Sequence, residues 1–176
     1  MGMYVIQVVG GRELNAVDVV NRSAYDVCTE CFAPRVEVMR KKRGEWARVY
    51  ERLFPGYVFV ETNAPEVVAE RLRSVPLFTR LLCAAGNRFI PLASEEVAWI
   101  QAHVDSQTHV MDMSRGVIEG DHVVVTQGPL RGQEARITKI DRHKRLAWMD
   151  MHMFGRSKSI RVGLEIVAKR SERTGM

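Results

Sequence analysis

The sequence predicts an α+β fold: an N-terminal antiparallel sheet with packed helices, a flexible linker, and a C-terminal small five-stranded β-barrel. Three observations predict it. Residues 1–105 mix short apolar, β-prone runs with stretches of helical spacing. Residues 106–116 have no clear period and carry Ser, Gln, Thr and Asp, as a linker does. Residues 117–170 hold only short strands between Gly, Pro and charged turns, before a tail at 171–176.

The elements follow in order. Tyr4 to Val9 is a β-prone run closed by Gly10-Gly11. Glu13 to Asn21 has helical spacing at Leu14, Val17 and Val20, with Glu13 at the end the helix dipole favours for an acid. Val27 to Val38 is extended and broken at Pro34; Arg40-Lys41-Lys42-Arg43-Gly44 is a basic turn; Glu45 to Leu53 returns. In Leu53-Phe54-Pro55-Gly56, Pro55 fixes φ and Gly56 permits a positive one, so the chain reverses before the strand Tyr57 to Glu61. Pro65 suits the first turn of a helix to Ser74 with Val67, Val68 and Leu72 as its stripe. Thr79 to Cys83 is a short strand, and Ser94 caps a helix backed by Val97, Ile100 and Val104. Beyond the linker, strands run His122 to Thr126, Glu134 to Asp141, Leu146 to Phe154, Ser159 to Val162 and Ile166-Val167.

A chain of 176 residues with 46% apolar content suits one domain or two small ones. It has no apolar run of about 18 residues, the length a membrane span needs. The N-terminus lacks the basic-then-apolar order of a signal peptide, so the expectation is a cytoplasmic monomer with no membrane contact. Cys28-Thr-Glu-Cys31 has no second ligand pair for zinc, and with Cys83 it reads as reduced, structural cysteine. The histidines (His103, His109, His122, His143, His152) are dispersed, and no nucleophile motif, P-loop or dinucleotide fingerprint is present. Neither an enzyme nor a cofactor or metal is expected.

Charge is uneven. Residues 1–115 carry 14 Lys/Arg against 14 Asp/Glu, whereas 116–176 carry 12 against 7, so the whole excess of +5 lies in the last third. A basic small domain behind a neutral one points to a polyanionic partner.

The motifs carry a family resemblance. Tyr4-Val5-Ile6-Gln7-Val8, Phe54-Pro55-Gly56-Tyr57-Val58-Phe59-Val60 and Ser74-Val75-Pro76, followed by Ile90-Pro91-Leu92, resemble the N-terminal (NGN) domain of NusG-type transcription factors. Gly120-Asp121-His122-Val123-Val124-Val125, Gly128-Pro129-Leu130 and Phe154-Gly155-Arg156 resemble the SH3-like KOW barrel of that family. The resemblance implies a non-enzymatic factor whose first domain binds the clamp helices of the largest RNA polymerase subunit through an apolar depression. The matching positions are Tyr4, Phe54, Pro55, Tyr57 and Leu81. The KOW barrel of the family recruits ribosomal protein S10 or Rho, or contacts RNA, and Phe154 matches a partner-binding position.

Two departures stand out. Ala135 replaces the usual KOW glycine, and the turns of the barrel are denser in Lys and Arg than a general factor needs. The chain is therefore most like the specialised paralogue LoaP, which implies antitermination of selected operons through a structured leader hairpin, within the bacterial nucleoid. The expected RNA contacts are Arg131, Arg136, Lys139, Arg142, Lys144, Arg145, Arg156, Lys158 and Arg161. Arg40, Lys41, Lys42 and Arg43 are candidates for non-template DNA, or else for a charged tip that deters edge pairing. The alternative role is a general NusG factor whose KOW domain takes Rho or S10.

Overall fold

A computed structural model describes residues 1–81, 83–84 and 88–171. The chain forms two compact units, one of residues 1–34 and 54–101, the other of 35–53 and 102–176.

In the first unit, β1 (Gly2–Val8) leads into α1 (Glu13–Ser23) and β2 (Cys28–Phe32). The chain leaves for the second unit through β3 (Arg35–Lys42) and β4 (Glu45–Arg52), and re-enters as β5 (Tyr57–Thr62) and α2 (Pro65–Leu72). Then follow β6 (Phe78–Leu81), a small pair of β7 (Cys83–Ala84) with β8 (Arg88–Phe89), and α3 (Ser94–His103). The central sheet runs β2-β5-β1-β6 and is antiparallel throughout. Tyr57 to Val60 are buried on both faces, as the β-branched and aromatic run of that strand requires. Each large side chain removed from water there contributes roughly 1.5–3 kcal/mol.

One core gathers Ile6, Val8, Val58 and Val60 of the sheet with Ala16, Val20, Val68 and Leu72 of the two helices. On α1 the buried face is Glu13, Ala16 and Val20, while Leu14 is 50% exposed. Of the expected stripe, Val20 is buried and Val17 packs against the core, while Leu14 gives way to Glu13, which turns inward to hold a loop described below. On α2, Pro65, Val68 and Leu72 are buried and Val67 faces solvent. At the head of α3 the cap lies one residue earlier than expected. The Glu96 carboxylate accepts from the Ala93 N–H at 2.8 Å, one arm of a capping box.

The second unit begins with the β3–β4 hairpin, whose Lys42 and Glu45 face each other across a two-residue turn at Arg43 and Gly44, both with positive φ. Residues 106–116 are only partly linker: β9 (Val110–Met111) pairs in parallel with Arg35 and Val36 of β3, and β10 (Ser114–Glu119) already belongs to the C-terminal sheet. That sheet adds β11 (His122–Gln127), a short 3-10 turn at Glu134–Arg136, β12 (Ile137–Asp141), β13 (Leu146–Met153) and β14 (Arg156–Arg170). Its order is β11-β10-β14-β13-β12. Five strands form, as expected, but not the expected five. The supposed linker supplies one, and Ser159 to Val167 belongs to a single long strand. Along β13, Met149, Met151 and Met153 are buried while Asp150 and His152 face out, the period of a sheet with one covered face.

Candidate functional site

The turn at Phe54-Pro55-Gly56-Tyr57 closes with the Tyr57 N–H donating to the Phe54 carbonyl at 3.2 Å. Gly56 has φ +84°, the value the third residue of a type II turn needs and only glycine adopts freely. Both backbone groups of Gly56 are engaged. Its carbonyl accepts from the Val8 N–H at 2.9 Å, and its N–H donates to the buried Glu13 carboxylate at 2.8 Å. Glu13 also accepts from the Gly11 N–H at 3.2 Å, so one carboxylate joins two loops.

This geometry buries the two aromatics that flank the turn. Phe54 and Tyr57 are only 3% and 6% exposed. Phe54 packs on Phe59 at 5.6 Å between ring centroids and meets Trp99 edge-on at 6.4 Å. They form the floor beneath the turn. Pro55 at the apex is exposed, and Tyr4 on β1 is half-buried, with its ring near Gly2. The side chain of Leu81 lies outside the described residues.

Cys28 and Cys31 are free thiols, Cys31 buried, and the side chain of Cys83 lies outside the described residues. Burial pushes the Cys31 thiol far up, and Cys28 up as well, so both stay protonated near neutrality. Among the described residues no cluster of His, Cys, Asp or Glu could hold a metal ion. No helix there is long and apolar enough to cross a membrane.

Charge separates more sharply by compact unit than by sequence position. The first unit carries 6 Lys/Arg against 9 Asp/Glu, and the second 20 against 12, so a net −3 stands beside +8. The hairpin accounts for the difference, because residues 35–53 bring 7 Lys/Arg and 3 Asp/Glu to the C-terminal sheet.

The nine expected RNA contacts do not form one patch. Arg142, Lys144 and Arg145 sit at the turn before β13, whereas Arg156 and Lys158 begin β14 and pair with Met153 and Met151 toward the other end of β13. Eight residues of strand separate those ends by roughly 25 Å. Arg131 and Arg136 are exposed around the 3-10 turn, and Lys139 lies over the Trp148 ring at 4.8 Å. Lys158 lies over Phe154, 5.5 Å from its centroid. Two of the nine, Arg145 and Arg161, are structural ties, as is Arg40 of the hairpin. Arg145 stacks on Trp46 of the hairpin at 4.2 Å and pairs with Glu165 at 3.3 Å. Glu51 receives both Arg40, through its Nε at 2.8 Å, and Arg161 at 2.5 Å. Sequence reasoning missed Trp46 and Glu51, because nothing local to them marks a contact with strands a hundred residues on.

A family model described as transcription termination factor NusG matches residues 1–101, and one for the KOW motif matches 119–148. The transcription termination/antitermination protein NusG of Streptococcus pyogenes serotype M3 is 28% identical over 175 residues, covering 96% of each chain. That of Lactococcus lactis is 29% identical, covering 93% of this chain and 90% of its own. Among solved structures, Thermotoga maritima NusG superposes with a TM-score of 0.50 at 20% identity, over 92% of this chain and 93% of that one, a likeness of fold. With its family model spanning more than half of the sequence, the chain belongs to the NusG family of non-enzymatic transcription termination and antitermination factors.

Proposed function

We propose that this protein binds RNA polymerase through its first unit and nucleic acid through its second, and so promotes antitermination on selected operons. The observation that carries the reading is the division of charge, −3 against +8, between the two units. An acidic unit with an exposed Pro55 and a half-buried Tyr4 on its central sheet suits a protein partner such as the polymerase clamp helices. A unit of +8 suits a phosphate backbone, here a structured hairpin in a leader transcript or the non-template DNA strand. Both partners would hold the protein in the cytoplasm, at the nucleoid.

The test is co-purification with polymerase of the full chain carrying Tyr4→Ala, at a half-buried position, or Pro55→Asp, at an exposed one, each checked for wild-type folding. Loss of polymerase with RNA affinity intact supports the reading; wild-type recovery of polymerase sinks it. A second reading rests on the position of Phe154, half-buried at the β13–β14 turn with Lys158 over its ring, where a protein partner such as ribosomal protein S10 or Rho would bind. Loss of either partner on Phe154→Ala, with RNA affinity unchanged, would favour that general role.

A further inference from the structure

The stack of Arg145 on Trp46 brings two basic turns together. Trp46 lies opposite Lys41 across the hairpin, three residues from its tip at Arg43. Arg145 closes the turn that carries Arg142, His143 and Lys144. One cation–π contact at 4.2 Å therefore sets the tip of the β3–β4 hairpin beside the β12–β13 turn. The tie between Glu51 and Arg161 fixes the base of the same hairpin on β14. Gly163, also on β14, lies so close to the hairpin that an added Cβ would sit 2.5 Å from the Glu37 carbonyl.

We propose that the two turns form a single phosphate-binding site, in which Lys41, Lys42 and Arg43 grip one stretch of nucleic-acid backbone together with Arg142, His143 and Lys144. This deepens the nucleic-acid part of the reading above and rests on it. All six side chains are exposed, and none makes an ion pair among the described residues. The nearby acids are Glu45 beside the tip, Glu165, which is paired with Arg145 and Arg115, and Asp141, whose carboxylate is occupied by the Lys144 N–H at 2.9 Å. The patch has no free aromatic anchor, since the face of Trp46 is taken by Arg145. Cations without an apolar centre suit phosphates better than a protein surface. Arg145, Arg161 and Arg40 serve the site as positioning residues.

The experiment titrates the full chain with a labelled RNA stem-loop and with the DNA duplex of the same sequence, over a range of salt. Three variants are compared: the tip (Lys41→Ala with Arg43→Ala), the turn (Arg142→Ala with Lys144→Ala) and the latch (Trp46→Leu). A shared site predicts that tip and turn variants each lose roughly tenfold or more in affinity. The salt slope should fall by roughly one per phosphate contact removed. The latch variant should also weaken binding, although it removes no charge. The tip and turn variants alter only exposed residues and test the site even where the latch variant fails to fold. Tighter binding of the stem-loop assigns the phosphates to RNA, and of the duplex to DNA; either keeps the site. If the tip variant binds as wild type while the turn variant is weakened, the shared site is wrong and RNA binding by the C-terminal sheet stands. If wild type binds neither probe, both fall.

Discussion

The Glu13 carboxylate accepts a hydrogen bond from the Gly56 N–H across forty-three residues of chain, at 2.8 Å, and thereby ties the first turn of α1 to the turn that presents Pro55. The Glu13 carboxylate is buried and Gly56 is partly so, and loss of the carboxylate leaves the Gly56 and Gly11 N–H groups without this acceptor. Glu13→Ala is expected to cost about 1–3 kcal/mol. Chemical denaturation measures this, and an unchanged midpoint would show the contact to be dispensable.

Phe54 and Pro55 should respond oppositely to substitution. Truncating Phe54 opens a cavity against Phe59 and Trp99, at a cost of about 3–5 kcal/mol. Pro55 is exposed, so replacing it should change stability by only about 0.5 kcal/mol in either direction. Thermal melts of Phe54→Ala and Pro55→Ala distinguish the two, and equal shifts would contradict the buried floor.

Arg71 joins the end of α2 to Asp26 beyond α1, donating to Asp26 Oδ2 at 2.9 Å. Its hydrogen bond holds the Asp26 carboxyl below the ordinary value of 3.8. A carboxylate whose folded pKa is depressed contributes stability above its unfolded pKa and loses it as pH falls through the lower, folded one. Asp26→Asn should therefore be less stable than wild type at neutral pH, with the gap closing under acid. The contribution is small because the pair is exposed. A gap that persists below both pKa values would mean the variant acts some other way.

Gly163→Ala should loosen the β3–β4 hairpin from β14, since the new methyl would meet the Glu37 carbonyl and the Met113 side chain. Overpacking of this kind costs about 1–3 kcal/mol. Hydrogen exchange at β3 should quicken while exchange at β1 and β5 stays slow, because those strands belong to the other unit.

Much of the fold was legible because its signals are local. The alternation along β13, the Pro-Gly turn at 55–56 and the stripe of α2 each specify an element without reference to the rest of the chain. What escaped is non-local. Val110 and Met111 read as linker because two residues show no period, yet they find a parallel partner in β3. Glu13 reads as a dipole-favoured acid at a helix start, and only the fold shows that it faces inward to a turn. Phe54 and Tyr57 flank a turn in either an exposed or a buried state, and a sequence carries no mark of which way a ring points. Trp46 and Glu51 became part of the site only once Arg145 and Arg161 were seen to reach them.

The chain leaves its first unit at Pro34 and rejoins it at Phe54, having spent a hairpin in the second. The protein therefore cannot be divided into modules by a single cut. A fragment starting at 117 lacks both β9 and the hairpin, and leaves bare the side of β14 on which Glu37 and Glu51 rest. An exchange of C-terminal segments between paralogues separates Trp46 from Arg145 unless residues 35–53 travel with the graft. Recombination that keeps this arrangement must inherit the hairpin and the sheet as one piece, although Arg52, the end of the hairpin, and Ser114, the start of the sheet, stand about sixty residues apart along the gene.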